Sequence, residues 1–329
     1  MTMLSMLVAA GVGSAPLVQI TPLKTYQGSH VIALAAASTG SRFAATMEDG
    51  SVRIIDASTR ITGQTLIGHP QPPYAVVWSA DSKLIASGDE SARVFVWDVH
   101  SGQRIKTFRS HIRGIQRLSF DPKHTRLMST GKDDVLKIYN LKTGKDEHTI
   151  LGKGANFYGA MFDRKGSRIL TGILGDGARL YDLSGNLVGL LKGHQGMGVN
   201  DVDLNSSGSR ALTVGRDGNA IVWDMGSRAP LGALQGHKDW VQSGRFSPNG
   251  RMAATSSVDR TVRIWDTVKM TSVGILENES AIGSPLCWTG DGRYLITTDS
   301  MDELQINLVT PAQGGKEPRP SRKRHRKRG

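Results

Sequence analysis

A repeat of about 42 residues runs through this 329-residue sequence and restricts the folds open to it. Its clearest copy, 236–266, reads as three short strands separated by turns and starts with a Gly-His pair. The corresponding positions are His30, His69, His111, Lys153, His194, His237 and Glu279, with Lys153 and Glu279 placed by alignment. Their spacing of 39 to 43 residues is the size of one four-stranded propeller blade. Because so small a meander must stack against copies of itself, the repeat predicts seven blades.

A second mark supports this count, because most units carry an Asp six residues before a bulky third-strand residue. The complete cases are Asp49 with Ile55, Asp133 with Tyr139, Asp217 with Trp223 and Asp259 with Trp265. The second unit has Ser91 at this place before Trp97, the fourth has Asp176 one residue late, and the seventh has Asp302 before Leu308. With Gly-His at the start and Trp-Asp at the end of the best unit, these features resemble the WD-repeat β-propeller family.

The resemblance implies an all-β chain that forms a single seven-bladed WD-repeat β-propeller. In that family the turn Asp, the loop His, a strand Ser or Thr and the Trp form a hydrogen-bonded network inside each blade. The resemblance therefore implies structural roles for His69, His111, His194, His237, Asp49, Asp133, Asp217, Asp259, Trp97, Trp223 and Trp265.

The two ends of the repeat array complement each other. Residues 21–30 are similar to 229–237, which lead into the best copy, and they form an orphan outer strand. The last copy ends after its third strand, 304–309, and lacks a fourth. The resemblance implies that the N-terminal strand completes the last blade and closes the ring, which also removes two exposed sheet edges. We expect an apolar segment at 1–16, the propeller at 17–310 and a tail at 311–329.

The apolar N-terminal segment favours a packed or frayed end over a cleaved signal, since no Lys or Arg precedes Lys24. No stretch is long enough to predict a transmembrane helix. The single cysteine, Cys287, excludes an intramolecular disulfide and a cysteine-rich zinc site. We expect a cytoplasmic location, with a nuclear one open in a eukaryote and an exported one open if 1–16 is a signal.

The tail carries most of the positive charge. Residues 311–329 contribute +7 of the chain's +12, and the densest run is Arg322, Lys323, Arg324, Arg326, Lys327 and Arg328. Like charges repel and the tail has almost nothing to bury, so we expect it to be disordered. Its charge predicts sequence-blind binding to RNA or another polyanion through backbone phosphates. A nuclear localisation signal, an anionic-lipid contact and a merely solubilising tail remain open.

No enzyme motif is present. The sequence has no phosphate-binding P-loop, no His-Glu-x-x-His and no Gly-x-Ser-x-Gly, and its histidines are repeat marks or scattered turn residues, apart from His325 in the tail. We therefore predict no catalytic residue, no cofactor and no metal. A cluster of carboxylates and histidines in the central channel would reverse this prediction.

In the resembled family, the face that carries the Gly-His loops and the turns before the third strands is the usual partner-binding face. The residues expected to project there are Trp240, Lys238, Arg216, Lys132, Glu48, Glu90 and Asn156. An exposed Trp beside Lys and Arg has the composition of an interface hot spot, although Trp240 could instead pack on its own blade. These features favour a non-catalytic adaptor for protein or peptide partners, acting as a monomeric subunit of a larger complex. The alternative is a component of a ribonucleoprotein or nucleic-acid assembly anchored by the tail.

Overall fold

The fold is known from a computed structural model, which describes residues 18–26, 28, 30–109, 111–154, 156–175, 177–196, 198–277, 285–299 and 301–311. These residues form 28 strands in seven four-stranded antiparallel sheets, with no helix among them. The predicted all-β, seven-bladed propeller is thereby confirmed. The segment 1–16, the marks Asp176 and Glu279, and the tail cations Arg322 to Arg328 lie outside the described residues.

The blades follow one another along the chain, and each runs from an inner to an outer strand. Blades 1 to 3 contain β2 (Val31–Ala36), β3 (Arg42–Met47), β4 (Val52–Asp56), β5 (Ile61–Leu66); β6 (Pro73–Trp78), β7 (Leu84–Asp89), β8 (Val94–Asp98), β9 (Arg104–Phe108); β10 (Ile115–Phe120), β11 (Arg126–Gly131), β12 (Val135–Asn140), β13 (Asp146–Leu151). Blades 4 and 5 contain β14 (Ala160–Phe162), β15 (Arg168–Gly172), β16 (Gly177–Asp182), β17 (Leu187–Lys192); β18 (Val199–Leu204), β19 (Arg210–Gly215), β20 (Ala220–Asp224), β21 (Pro230–Leu234). Blade 6 contains β22 (Val241–Phe246), β23 (Met252–Ser257), β24 (Thr261–Asp266), β25 (Thr271–Glu277), and blade 7 contains β26 (Cys287–Trp288), β27 (Tyr294–Thr298), β28 (Leu304–Pro311) and β1 (Val18–Tyr26).

Blade 6 shows how the repeat sequence makes a meander. The turn after β22 is set by Gly250, whose φ of 67° favours glycine, and by Ser247, whose Oγ accepts from Met252 N at 3.0 Å. The next strand, β23, is built from small residues and is buried along most of its length. The outer strand β25 is largely half-buried or exposed. Small inner residues and a partly polar outer strand suit the taper of a propeller blade.

The hydrophobic core lies between neighbouring blades. One buried cluster joins Phe43 and Ile55 of blade 1 to Tyr294, Ile296 and Leu304 of blade 7. Similar clusters lie between the other neighbours, as between Trp97 of blade 2 and Leu66 of blade 1. Since each blade buries its faces only against its neighbours, the stability of the chain depends on an unbroken ring.

The N-terminal strand closes this ring, as the sequence predicted. β1 pairs antiparallel with β28 through eight residue pairs, from Val18 opposite Pro311 to Tyr26 opposite Leu304. Val18 and Ile20 are buried against blade 6. The first and last blades also meet directly, since Val31 N donates to Asp302 O at 2.8 Å. The ring is therefore closed by β1, which is the outer strand of blade 7.

The molecule has two faces. The upper face carries the loops that precede each first strand and the turns between second and third strands. The lower face carries the other two sets of turns, and β28 ends there at Pro311. In the described part of the chain, no helix is long and apolar enough to cross a membrane.

Candidate functional site

A chain of buried hydrogen bonds lies inside blade 6. Trp265 Nε1 donates to Thr255 Oγ1 at 2.8 Å, and His237 Nε2 lies 2.7 Å from the same hydroxyl. His237 Nδ1 lies 2.9 Å from Asp259 Oδ2. Because the indole can only donate and the carboxylate can only accept, the hydroxyl donates to Nε2 and the proton of the neutral ring sits on Nδ1. Burial of the ring lowers the pKa of His237, which agrees with a neutral imidazole.

The same chain of bonds occurs in blades 3 and 5. It consists of Tyr139, Ser129, His111 and Asp133 in blade 3, and of Trp223, Thr213, His194 and Asp217 in blade 5. Burial raises the pKa of Asp217, but hydrogen bonds from His194 and the backbone outweigh it and hold the pKa at about 2. The carboxylate therefore stays ionised at neutral pH, and its contribution to stability is lost only as the pH falls below about 4 toward 2.

Blade 2 forms the network with a carboxylate that the repeat alignment does not indicate. Ser91 occupies the aligned turn position and is exposed. Asp89, at the end of β7, reaches His69 instead, with Oδ2 2.8 Å from Nδ1 and both side chains fully buried. His69 Nε2 lies 2.6 Å from Ser87 Oγ, which also accepts from Trp97 Nε1 at 2.8 Å. A shift of two residues from turn to strand end thus supplies the missing acceptor.

Blade 1 departs from the expected network. Among the described residues, Asp49 accepts from Ser51 and Arg53 rather than from a loop histidine, and its side chain is 55% exposed. His30 is exposed, and the side chain of Ile55, unlike a Trp or Tyr side chain, has no hydrogen-bond donor. Asp49 therefore pairs with Arg53 at the turn of this blade, because His30 is exposed and Ile55 has an apolar side chain.

The upper face holds an aromatic–cation cluster formed by Tyr158, Arg216 and Trp240. The Arg216 guanidinium lies over both rings, with its Cζ 5.0 Å from the Tyr158 centroid and 4.9 Å from the Trp240 centroid. Its Nε donates to Asn200 Oδ1 at 3.0 Å. Trp240 is half-buried and belongs to none of the buried clusters of the described chain. The structure therefore brings Arg216 and Trp240 together across neighbouring blades.

A related arrangement lies two blades earlier. Lys132 Nζ lies 5.0 Å from the Tyr74 ring centroid and forms an ion pair with Glu90 Oε2 at 2.8 Å. Tyr74 and Tyr158 are 84 residues apart, as are Lys132 and Arg216, which is two repeats. Glu90 and Lys132 thus lie together on the upper face, and their charges neutralise each other.

The remaining three candidates stand apart from these clusters. Lys238 is exposed, and its backbone N–H donates to Asp259 at 2.9 Å. Asn156 is half-buried, and its N–H donates to Asp134 Oδ1 at 2.8 Å. Glu48 is exposed beside Asp302, whose pKa is raised by burial and, to a smaller extent, by the negative charges of Asp299 and Glu48.

Residues that the sequence reading missed lie on the first strands, where they line the central channel. Asp201 pairs with Arg245 Nη1 at 2.5 Å, and Arg117 Nε lies 3.9 Å from Asp201. Burial raises the pKa of Asp203 and that of the Cys287 thiol, the latter to about 12. This channel cluster joins carboxylates to arginines and contains no histidine among the described residues. Each of its charges has an opposite charge nearby, which is the arrangement of a structural brace.

Within the described ranges, no three His, Cys, Asp or Glu side chains lie close enough to share a metal ion. The buried histidines instead bind hydroxyls and carboxylates of their own blades.

Two more upper-face residues were missed by the sequence reading. Asn200 is buried, and its Nδ2 donates to Val241 O at 2.9 Å, so its Oδ1 is fixed toward Arg216. Tyr158 begins the inner edge of blade 4 and supplies the second ring against Arg216. A signal was present in the repeat, because Tyr74 precedes Lys132 by 58 residues, as Tyr158 precedes Arg216.

Comparisons with known proteins agree with the fold. The family model described as "WD domain, G-beta repeat" matches residues 20–56, 61–98, 102–140, 185–224 and 228–266, more than half of the chain. The unmatched stretches include the first three strands of blade 4 and of blade 7.

Several curated proteins are similar over most of this chain. Autophagy-related protein 16 of Arabidopsis thaliana is 26% identical over 261 residues, covering 77% of this chain and 50% of that protein. Nuclear distribution protein nudF of Aspergillus niger is 25% identical over 257 residues, covering 70% and 57%. Guanine nucleotide-binding protein subunit beta of Zea mays is 26% identical over 219 residues, covering 62% and 57%. The chain spans about half the length of these relatives. With seven closed four-stranded blades and the repeat matches, the chain belongs to the WD-repeat β-propeller family.

Proposed function

We propose that this protein is a non-catalytic adaptor that binds protein partners on its upper face as one subunit of a larger complex. The observation that carries the proposal is the cluster of Tyr158, Arg216 and Trp240. Large aromatic rings and arginine are the residues that dominate interface energies. A cytoplasmic location belongs to the same proposal.

The cluster is built to present these side chains rather than to stabilise a core. Tyr158, Arg216 and Trp240 are each half-buried and come from three successive blades. The rigid ring fixes their backbones, since Arg216 N donates to Gly198 O at 3.1 Å and Tyr158 N to Gly172 O at 3.1 Å. A partner therefore meets a pre-organised surface and orders few side chains on binding.

Replacing both Trp240 and Arg216 with Ala tests the proposal. We expect the double variant to lose at least about 2 kcal/mol of partner binding, because two hot-spot side chains are removed. The measurement is co-purification of partners from the native cell extract, with and without nuclease, followed by affinity measurement with the purified partner. The melting temperature should stay close to that of the unchanged chain.

The matched control is Glu90→Ala with Lys132→Ala, an exposed pair on the same face two blades away. Exposed pairs of this kind contribute about 0–1 kcal/mol to stability, so the melting temperature should change little, and any loss of partner binding should be smaller than that of the Trp240 and Arg216 variant. If Trp240→Ala strongly lowers the melting temperature, Trp240 is a packing residue and the binding surface lies elsewhere.

The basic tail favours a second candidate function, the anchoring of the ring to RNA or another polyanion. Arg322, Lys323, Arg324, Arg326, Lys327 and Arg328 place six fixed charges within seven residues. Because this run contains no aromatic residue, the expected target is the phosphate backbone. The described part of the chain ends at Pro311 on the lower face, opposite the surface proposed for protein partners.

A salt series measures the tail's contribution. We expect full-length protein to bind single-stranded RNA with a slope of log affinity against log salt of about −4, from about six neutralised phosphates. A chain that ends at Pro311 should lose this slope. Equal slopes for the two chains would assign the phosphate contacts to the propeller, and an absence of binding by both would leave the protein adaptor alone.

A further inference from the structure

Three side chains surround the guanidinium of Arg216. It lies over the rings of Tyr158 and Trp240, and one edge is occupied because Nε donates to Asn200 Oδ1. The other edge of the fork, Nη1 and Nη2 with four N–H groups, makes no hydrogen bond and no ion pair to the described residues. Two parallel N–H bonds from this edge match the oxygens of one carboxylate.

The earlier blades show what a complete version of this site looks like. Lys132 also lies against a tyrosine, but Glu90 of the preceding blade neutralises it at 2.8 Å. The residue 42 positions before Arg216, which is the place of Glu90, is Leu174. The two places correspond in space, because a Cβ added to Gly114 would meet Glu90 and one added to Gly198 would meet Leu174. Arg216 thus lies against a tyrosine, as Lys132 does, but has no acid in the place of Glu90.

We propose that Arg216 binds one side-chain carboxylate, from a Glu or Asp of a partner peptide, in the place where Glu90 binds Lys132. This inference rests on the proposed adaptor function and adds the chemistry of the ligand. The rings of Tyr158 and Trp240 hold the planar guanidinium in position and shield it in part from water, which strengthens a bidentate ion pair. The Leu174 side chain beside the site fits an apolar neighbour of the bound acid.

The surrounding charges select a single carboxylate over a polyanion. Asp217 follows Arg216 in the chain and Asp239 precedes Trp240, so the two acids balance Arg216 and Lys238. A nucleic acid therefore gains little long-range attraction here. A peptide C-terminus is also disfavoured, because terminal carboxylates are held by free backbone N–H groups and Arg216 N is bonded to Gly198 O.

The test uses end-blocked heptapeptide libraries whose central residue is fixed as Glu, Gln or phosphoserine, with a fourth library that ends in a free carboxylate. Full-length labelled protein should bind the Glu library about tenfold more tightly than the Gln library. Arg216→Gln should remove this preference, because its neutral amide has no charge with which to pair a carboxylate. Equal binding to the Glu and Gln libraries would overturn the carboxylate assignment, as would a preference for phosphoserine or for the free C-terminus.

Leu174→Glu is the sharper variant, because it supplies from within the chain the acid that the partner is proposed to bring. We expect it to reduce binding of the Glu library about tenfold. Leu174→Gln has the same shape without the charge and should retain binding; loss with both variants would contradict the proposal. The adaptor proposal has a separate test. It is contradicted if the variant with Trp240→Ala and Arg216→Ala still retains the co-purified protein partner.

Discussion

Deletion of residues 1–26 should abolish the cooperative unfolding of this propeller. The deletion removes β1, and with it eight paired residues of blade 7 and the burial of Val18 and Ile20. Two buried aliphatic side chains alone contribute about 1.5–3 kcal/mol each. With the lost ladder, the total approaches the whole stability of a domain, about 5–15 kcal/mol. The measurement is thermal or urea unfolding followed by circular dichroism.

Deletion of residues 1–16 is the matched control, because it leaves β1 in place. We expect a small change in the unfolding midpoint and an unchanged dependence on urea. Small and equal effects of the two deletions would contradict closure of the ring by β1. A single substitution, Ile20→Asp, should destabilise in the same direction, since it buries a charge against blade 6.

Asp89→Ala should destabilise the chain by about 3 kcal/mol. This effect should be larger than that of a substitution at Ser91, the turn position of the same blade. The change leaves His69 Nδ1 and the N–H of Arg93 without their acceptor inside a fully buried site. Removing one member of a buried pair carries the desolvation cost of the group left behind. The free energy of unfolding from urea titration measures this directly.

Ser91→Ala is the control, and it should change stability by less than about 0.5 kcal/mol because Ser91 is exposed. A large effect at Ser91 with a small one at Asp89 would mean that the aligned position carries the network. Asp259→Ala in blade 6 should cost about 1–3 kcal/mol through the same loss of an acceptor.

The repeat made the fold predictable because one period governs the whole chain. Glycine and proline placed the turns, and the orphan strand before His30 predicted closure by β1. Local chemistry could be transferred from unit to unit only where the units keep the same residues. Asp89 was missed because the repeat comparison looked for an Asp at the turn position, which is Ser91 in blade 2. The carboxylate that joins the network comes instead from the end of β7.

The upper-face cluster was only half predictable. Arg216 and Trp240 could be placed on the same face from their repeat positions, but their contact depends on the distance between blades 5 and 6. Tyr158 belongs to blade 4, and Asn200 is a buried polar residue whose orientation is set by Val241 O. Contacts between blades and across the channel, such as Arg245 with Asp201, arise from the closed ring and have no local sequence signal.

Hydroxyl-radical footprinting of the full chain, alone and bound to its co-purified partner, tests the adaptor account most directly. Trp240 and Tyr158 are half-buried aromatic side chains that react when free, and the account predicts strong protection of both in the complex. Leu187 and Leu231, about half exposed at the lower ends of their outer strands, should keep their reactivity. Unchanged oxidation of Trp240 and Tyr158, with protection of Leu187 or Leu231, would contradict binding on the upper face.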